Sequence, residues 1–352
     1  MIKRYVIWMT LGVFLGVMTA CEHRPLLEKT DMHYIRIYLD EHLRNVNFGF
    51  YDEEKPRPNY KTPTVMRVTL SDTESGKIVT ERYLRNTGSD ERGNYIDGTI
   101  NVPSGTYHLM AYNFDTESTH IRNNNDHYQM QVYTNPISEQ LKDRLSCVRS
   151  SHEESNWNIL YEPDHFFVET CEEIVVDSKP YVDTLYNHQG NHFTAESVVK
   201  TYYIQVNVKG IEYIKSAYSL LTGMAGSVQM CDRSMVADPP ASVFFYLKPG
   251  ADKARERNDI AVAYTSFNTF GKLEGVEGFI EVTFEFNTVF ETTQVETIRL
   301  TDMFETSQVK NEQWIIIDKV IEIVPPEGVS GGGLSPGLNN WEEIEGETTI
   351  TG

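Results

Sequence analysis

The sequence predicts an all-β protein of two β-sandwich domains, with one short helix, behind an N-terminal export signal. Three observations point that way. Past residue 30, apolar and polar residues alternate with a period of two in one segment after another. Helix-period patterns are nearly absent. The chain opens on an apolar run that ends abruptly at a cysteine, in "VMTAC".

That opening run comes first. Lys3 and Arg4 form a short positive region, and Tyr5 to Ala20 carry no charge. The run falls short of the ~18–20 apolar residues a helix needs to cross a bilayer. Its charge order and length fit a secretory signal peptide. Met18, Thr19 and Ala20 lead into Cys21 as an apolar residue and two small ones precede the lipidated cysteine of bacterial lipoproteins, with Met18 where Leu is usual. Residues 1–20 are therefore expected to be removed, leaving Cys21 as a lipidated N-terminus that holds the protein on a membrane. One acyl chain holds weakly and several hold firmly.

The strands follow. In "YIRIYLD", Ile35, Ile37 and Leu39 oppose Arg36 and Tyr38. In "VMRVTL", Met66, Val68 and Leu70 share a face. "PSGTY" at 103–107 is a tight turn feeding the strand "TYHLMAYNF". "NPISEQLKDRL" is the one helical signal: Asn135 caps, Pro136 takes the first helical position, and Ile137, Leu141 and Leu145 recur every four residues. A polar break, "NHQGNHFTAE", lies near residues 187–195. Beyond it, Tyr202, Ile204, Val206 and Val208 alternate with Gln205, Asn207 and Lys209. Ile280, Val282, Phe284 and Phe286 alternate with Glu281, Thr283 and Glu285. Fuller apolar runs at Val243–Leu247, Ile260–Tyr264 and Trp314–Ile317 fit mid-sandwich strands. The tail starts at Pro325–Pro326, passes Gly331, Gly332 and Gly333, and ends in the acidic stretch around Trp341. The expected organisation is a signal peptide 1–20, a lipidated linker 21–30, an N-terminal β-sandwich 31–190, a C-terminal β-sandwich 195–324, and a hinge and tail 325–352.

Charge and residue chemistry exclude several functions. The chain has 31 basic and 51 acidic residues, a net charge of −20, and losing Lys3 and Arg4 with the leader takes it to −22. Such acidity argues against nucleic acid and against electrostatic attraction to anionic membranes. Cys147, Cys171 and Cys231 are an odd set with no metal-site spacing, expected mainly as small buried thiols, with a Cys147–Cys171 disulfide as the alternative. His188 and His192 are four apart, but Gly190 and Asn191 disfavour the helix that would pair them on a metal. "HEESN" at 152–156 has Asn156 where a zinc protease needs its second His. "NNND" at 123–126 lacks the acidic ladder of a calcium loop. Ser104 is not in a nucleophile elbow, and Asp52, Glu53 and Glu54 fit a solvated loop. Asp183-Thr184-Leu185 matches an O-glycosylation triplet of some gut anaerobes, a match that chance also gives. No catalytic group, metal or cofactor is expected.

Several stretches together carry a resemblance: "CEHRP" (21–25), "PTVMRVTLSD" (63–72), "ERYLRNTGSDERG" (81–93), "VPSGTYHLMAYNFDTE" (102–117), "YEPDHFFV" (161–168), "SVVKTYYIQVNVKGIEYIKSAYSLLTGMAGS" (197–227), "TSFNTFGKL" (265–273) and "GGLSPGLNNWEEI" (332–344). The chain resembles a lipoprotein family of the fimbrillin (type V pilus) superfamily over nearly its whole length past the signal. The resemblance implies two transthyretin-like β-sandwich domains and a lipid-anchored place at the surface of the outer membrane. It implies other fimbrial subunits as partners, joined by strand addition. Shaft subunits of that superfamily are cut after an Arg and lose their first strand, whereas minor members keep the lipid as anchor or tip. Arg36 and Arg44 are the candidate cut sites here. A retained lipid at Cys21 favours a non-enzymatic anchor or accessory subunit of pili or adhesion structures. The alternative is a surface glycan-binding lipoprotein, suggested by 20 tyrosines and 4 tryptophans.

Overall fold

The structure, a computed structural model, describes residues 31–40, 47–48, 53–54, 61–151, 158–177, 191–236, 240–250, 260–274, 280–326 and 341. Cys21 with the leader and linker, Arg44, His152, Asp183, Thr184, Leu185 and His188 lie outside the described residues, as does the tail apart from residues 325, 326 and 341.

Alternation builds the first sandwich. Eight strands form one sheet in the order Ile78–Leu84, Met66–Asp72, Gly105–Asn113, Phe167–Val176, Asn191–Ser197, Asp31–Leu39, Gly93–Val102, Asn86–Asp90. Ile35, Ile37, Met66, Val68, Leu70, Ile96, Ile100, Leu109 and Ala111 all point into one core and are buried. The sheet curls until its ends meet: the Thr80 hydroxyl donates to Asn101 O at 3.2 Å. A Cβ at Gly98 would lie 2.9 Å from Leu84 Cδ2, so a side chain there would have to push Leu84 aside where the two strands meet. The turn at Pro103 is held by the Tyr107 hydroxyl, which donates to Pro103 O at 3.0 Å.

The second sandwich has two sheets. One runs Asn158–Leu160, Ala241–Tyr246, Ile214–Met224, Glu281–Thr288, Thr293–Arg299. The other runs Lys248–Pro249, Ile260–Thr269, Lys200–Lys209, Trp314–Glu322. The core between them takes Ile204, Val206, Val208, Leu221, Phe245, Val282, Phe284, Phe286, Ile315 and Ile317. Phe245 and Phe267 stack across it at 4.1 Å. At Gly210, with φ +81°, a Cβ would meet Ile323 O at 2.5 Å, so the turn out of Lys200–Lys209 needs glycine.

Two features join the sandwiches. A four-stranded sheet takes Thr119–Arg122 and Gln131–Thr134 from the first half of the chain, and Ser227–Gln229 and Met235–Val236 from the second. Met110, Tyr112, Met130, Phe166, Val228, Met230 and Phe270 are buried together there. Residues 137–151 and 158–160 also lie on the second sandwich. Asn158–Leu160 adds in parallel to Ala241–Tyr246, and Ile137, Leu141, Leu145, Cys147 and Ile159 cover Tyr218, Leu220 and Phe244.

The outward faces expected to be wet are therefore covered in places. Gln205, Asn207, Thr283 and Glu285 are buried. Glu285 accepts the Cys147 N–H at 2.8 Å, beneath the crossing segment.

The expected helix exists but starts later. It spans Glu139–Arg144, with Ser138 as the cap accepting from Leu141 N at 3.2 Å. Asn135 instead engages His120, and Pro136 sits in a bridge to Leu160, because the backbone there is extended to reach the second sandwich. Short helices also form at Ser146–Ser151, Thr301–Phe304 and Ser307–Glu312. All three described cysteines are free thiols, so no Cys147–Cys171 disulfide forms: Cys147 is buried on the second sandwich, and Cys171 packs beside the first.

Candidate assembly site around the first strand

Two features bear on whether strands could be exchanged with a neighbour: how firmly Asp31–Leu39 is held, and which sheet edges are open. Asp31–Leu39 lies within the eight-stranded sheet with both edges paired. It runs antiparallel to Gly93–Val102, from Asp31 opposite Val102 to Tyr38 opposite Tyr95. It runs parallel to Asn191–Ser197, from Ile35 opposite Asn191 to Leu39 opposite Ala195. Its inner face buries Ile35, Ile37 and Leu39, each contributing about 1.5–3 kcal/mol. Removing it would open a groove with two unpaired edges and an apolar floor.

The outer face carries a network centred on Arg36. Its Nη2 is 3.0 Å from Asp97 Oδ2, its Nη1 is 3.2 Å from Asp90 Oδ2, and its Nε donates to the Tyr34 hydroxyl at 2.9 Å. The guanidinium lies 3.7 Å from the Tyr95 ring centroid. Tyr34 and Asn86 both donate to Asp97, and Tyr38 donates to Asp90 at 2.8 Å. Arg92 sits 4.2 Å over the Tyr38 ring, and half-buried His192 meets that ring edge-on. The Arg36 and Asp97 side chains are only 11% and 5% exposed. Burial works against the Arg36 charge, but bonds to Tyr38 and Tyr34 outweigh it and raise the pKa. Burial and the bond to Asp97 push the Tyr34 hydroxyl up. The backbone N–H of Arg92, then the Tyr38 hydroxyl, hold Asp90 low.

Arg36, one of the two candidate cut sites, is thus a buried and fully engaged cation in a doubly paired strand. A trypsin-like protease needs an extended, accessible segment, which Arg36 offers only once the strand has detached.

Edges remain on the second sandwich. Among the described residues, Thr293–Arg299 and Trp314–Glu322 each have a neighbouring strand on one side only. Lys319 pairs with Glu296, and Gln294 Nε2 donates to Glu322 O at 3.1 Å, tying the two edges together at one corner. Charged side chains line these open edges, and an incoming strand would have to displace the corner contacts.

The "YEPDHFFV" segment is a clasp between the sandwiches, a role that no period-2 pattern announces. Glu162 accepts from Asn268 N at 2.8 Å, and Asn268 Nδ2 donates to Pro163 O at 3.1 Å. Asp164 accepts from the backbone N–H groups of Glu117 and Ser118 at 2.7 and 2.6 Å, and Asn113 accepts from Phe167 N at 2.7 Å. Burial raises the Glu162 carboxyl to about 7, against the lowering effect of the Asn268 N–H.

Of the polar groups that sequence singles out, Asn123 turns the 123–126 loop with φ 56°, and Asp126 accepts from Tyr128 N at 2.9 Å. Among the described residues no three His, Cys, Asp or Glu side chains gather to hold a metal. No helix among them is long and apolar enough to cross a membrane.

A two-sandwich all-β protein with its first strand locked in place is the class that this fold and site define. The chain belongs to the family described as "Domain of unknown function (DUF5119)", whose model matches residues 20–246. It is 22% identical over 348 residues to "Putative fimbrium anchoring subunit Fim4B" of Bacteroides ovatus, covering 92% of each chain. A crystal structure of a "putative adhesin" from Bacteroides ovatus matches with a TM-score of 0.54 and 21% identity, over 84% of this chain and 94% of that one. That likeness establishes a shared fold. The fimbrial anchor protein Mfa2 of Porphyromonas gingivalis matches at a TM-score of 0.41 and 11% identity over 82% of this chain and 90% of its own, too loosely to argue from.

Proposed function

We propose that this protein is a fimbrial anchor or accessory subunit, held at the outer membrane by lipid on Cys21 and joined to a neighbouring subunit by strand addition. One observation carries the reading: Asp31–Leu39 is paired on both edges and pinned by buried Arg36. A shaft subunit must give up its first strand, and a tethered subunit keeps it. The family resemblance and the full-length likeness to Fim4B support the same assignment. The leader and Cys21 supply the tether, and the edges at Thr293–Arg299 and Trp314–Glu322 supply places for a partner strand.

The test is a Cys21→Ala allele in the native host. The protein should move from the membrane fraction to the soluble one, and fibres should appear in the medium. Fibres that stay cell-bound at unchanged length when the protein is deleted would sink the anchor role. A glycan-binding role has one specific support, the exposed Tyr83–Phe114 ring pair, 5.2 Å apart, beside the Arg67–Glu81 ion pair. Affinity electrophoresis in glycan-containing gels tests it, and unretarded migration in all of them would count against it.

A further inference from the structure

At one end of the second sandwich a cleft of about 580 Å³ opens beside the helices Thr301–Phe304 and Ser307–Glu312. Its size suits a few residues of peptide. In a chain this acidic, three lysines meet there: Lys200, Lys272 and Lys310. Glu305 accepts from Lys272 and, at 2.6 Å, from Lys310, and these bonds hold its carboxyl down at about 2. Glu274 is the other acid in the lining. Lys200 makes no ion pair, and the Tyr202 hydroxyl no hydrogen bond, among the described residues. The rings of Tyr202 and Phe304, 5.6 Å apart, form the wall, and at 5% and 2% exposure they present no open face for stacking a sugar. Ammonium groups beside an aliphatic and aromatic wall suit an acidic peptide with an apolar anchor.

We propose that the occupant is a short stretch of the acidic C-terminal end of this same chain, drawn from residues 342–352 around Ile344. Trp341 packs against the hydrophobic core that contains Tyr202, Ile280, Phe304 and Val309, all of which line the cleft. The residues after it, "EEIEGETTITG", carry Glu342, Glu343, Glu345 and Glu347, no base, and Ile344 as an apolar anchor. Those eleven residues span up to about 36 Å when extended. The ten-residue strand Lys200–Lys209, part of the same core, is about 33 Å long at the usual rise. That length lets part of the segment lie in the cleft while Trp341 stays on the core that lines it.

The test uses the chain from residue 22 onward, which holds every described residue, and a Lys200→Glu/Lys310→Glu variant. A glutamate-specific protease should cut after Glu342–Glu347 at least tenfold faster in the variant than in the wild type. A fluorescein-labelled 341–352 peptide should bind a chain ending at residue 340 at least tenfold more tightly than the intact chain. Lys61→Glu/Lys77→Glu, away from the cleft, should change neither result. Equal cutting rates overturn the proposal. So does equal peptide binding to intact and shortened chains, which would mean that the cleft stands open for a partner's segment, and so does binding to neither. Concentration-dependent dimers in sedimentation would place the tail of a second copy there instead. If the shortened chain does not fold, the cleavage rates in the intact chain decide.

Discussion

Substituting Arg36 with alanine should destabilise the first sandwich by about 3–5 kcal/mol. Arg36 and Asp97 are nearly dry, 3.0 Å apart, at 11% and 5% side-chain exposure. Removing one member of a buried pair leaves the other charge uncompensated, at a cost of about 3–5 kcal/mol. The lower end applies because Asp97 keeps donors from Tyr34 and Asn86. Loss of the guanidinium over Tyr95 removes about 1–2 kcal/mol more, part of which the rings recover by closing up. Urea denaturation followed by circular dichroism measures the change. The replacement Arg36→Met with Asp97→Leu, which removes both charges, should cost less than Arg36→Ala alone. Limited trypsin digestion with N-terminal sequencing gives the second readout: the folded wild type resists cutting after Arg36, and Asp97→Ala is cut there. A loss under about 1 kcal/mol, or ready cutting of the folded wild type after Arg36, would refute the locked-strand argument.

Three further outcomes follow from the geometry. Glu162 has a folded pKa of about 7, above its ordinary value, so its contribution is full below the ordinary carboxylate pKa and is lost as pH rises through 7. Stability should fall by about 2 kcal/mol across that window, allowing for a half-buried side chain, and Glu162→Gln should flatten the slope in denaturation curves taken from pH 4 to 8. Gly98→Val should cost about 1–3 kcal/mol by driving a side chain into Leu84, read as a lowered melting temperature. Burial, then the neighbouring Glu285, push the Cys147 thiol up, so a thiol reagent should label half-buried Cys171 and Cys231 in the native protein and reach Cys147 only on unfolding. Native labelling of Cys147 would contradict its packing.

The all-β class was legible because strands write a two-residue period into the chain. Ile35, Ile37, Met66, Val68, Leu70, Val206, Phe284 and Phe286 all lie on the buried face that alternation assigns them. The opposite faces were less legible. Gln205, Thr283 and Glu285 look solvent-facing by pattern and are buried in the fold. For Glu285 the cover comes from residues around Cys147, more than a hundred positions away in sequence. The helix cap was misplaced for a related reason. Asn135 and Pro136 have good cap chemistry, but their backbone is used to reach Leu160.

By itself, the sequence determined the strand-rich architecture and the strong acidity, and it carries the expectation of a leader ending at Cys21. These are local properties, set by periodicity, composition and short motifs. Only the tertiary structure decided that Asp31–Leu39 is paired on both edges, that Arg36 meets Asp90 and Asp97 instead of solvent, and that three lysines and Glu305 line one cleft. Each of these joins residues far apart in the chain. A two-residue period records which side of a strand a residue faces, but not which distant strand will lie against it.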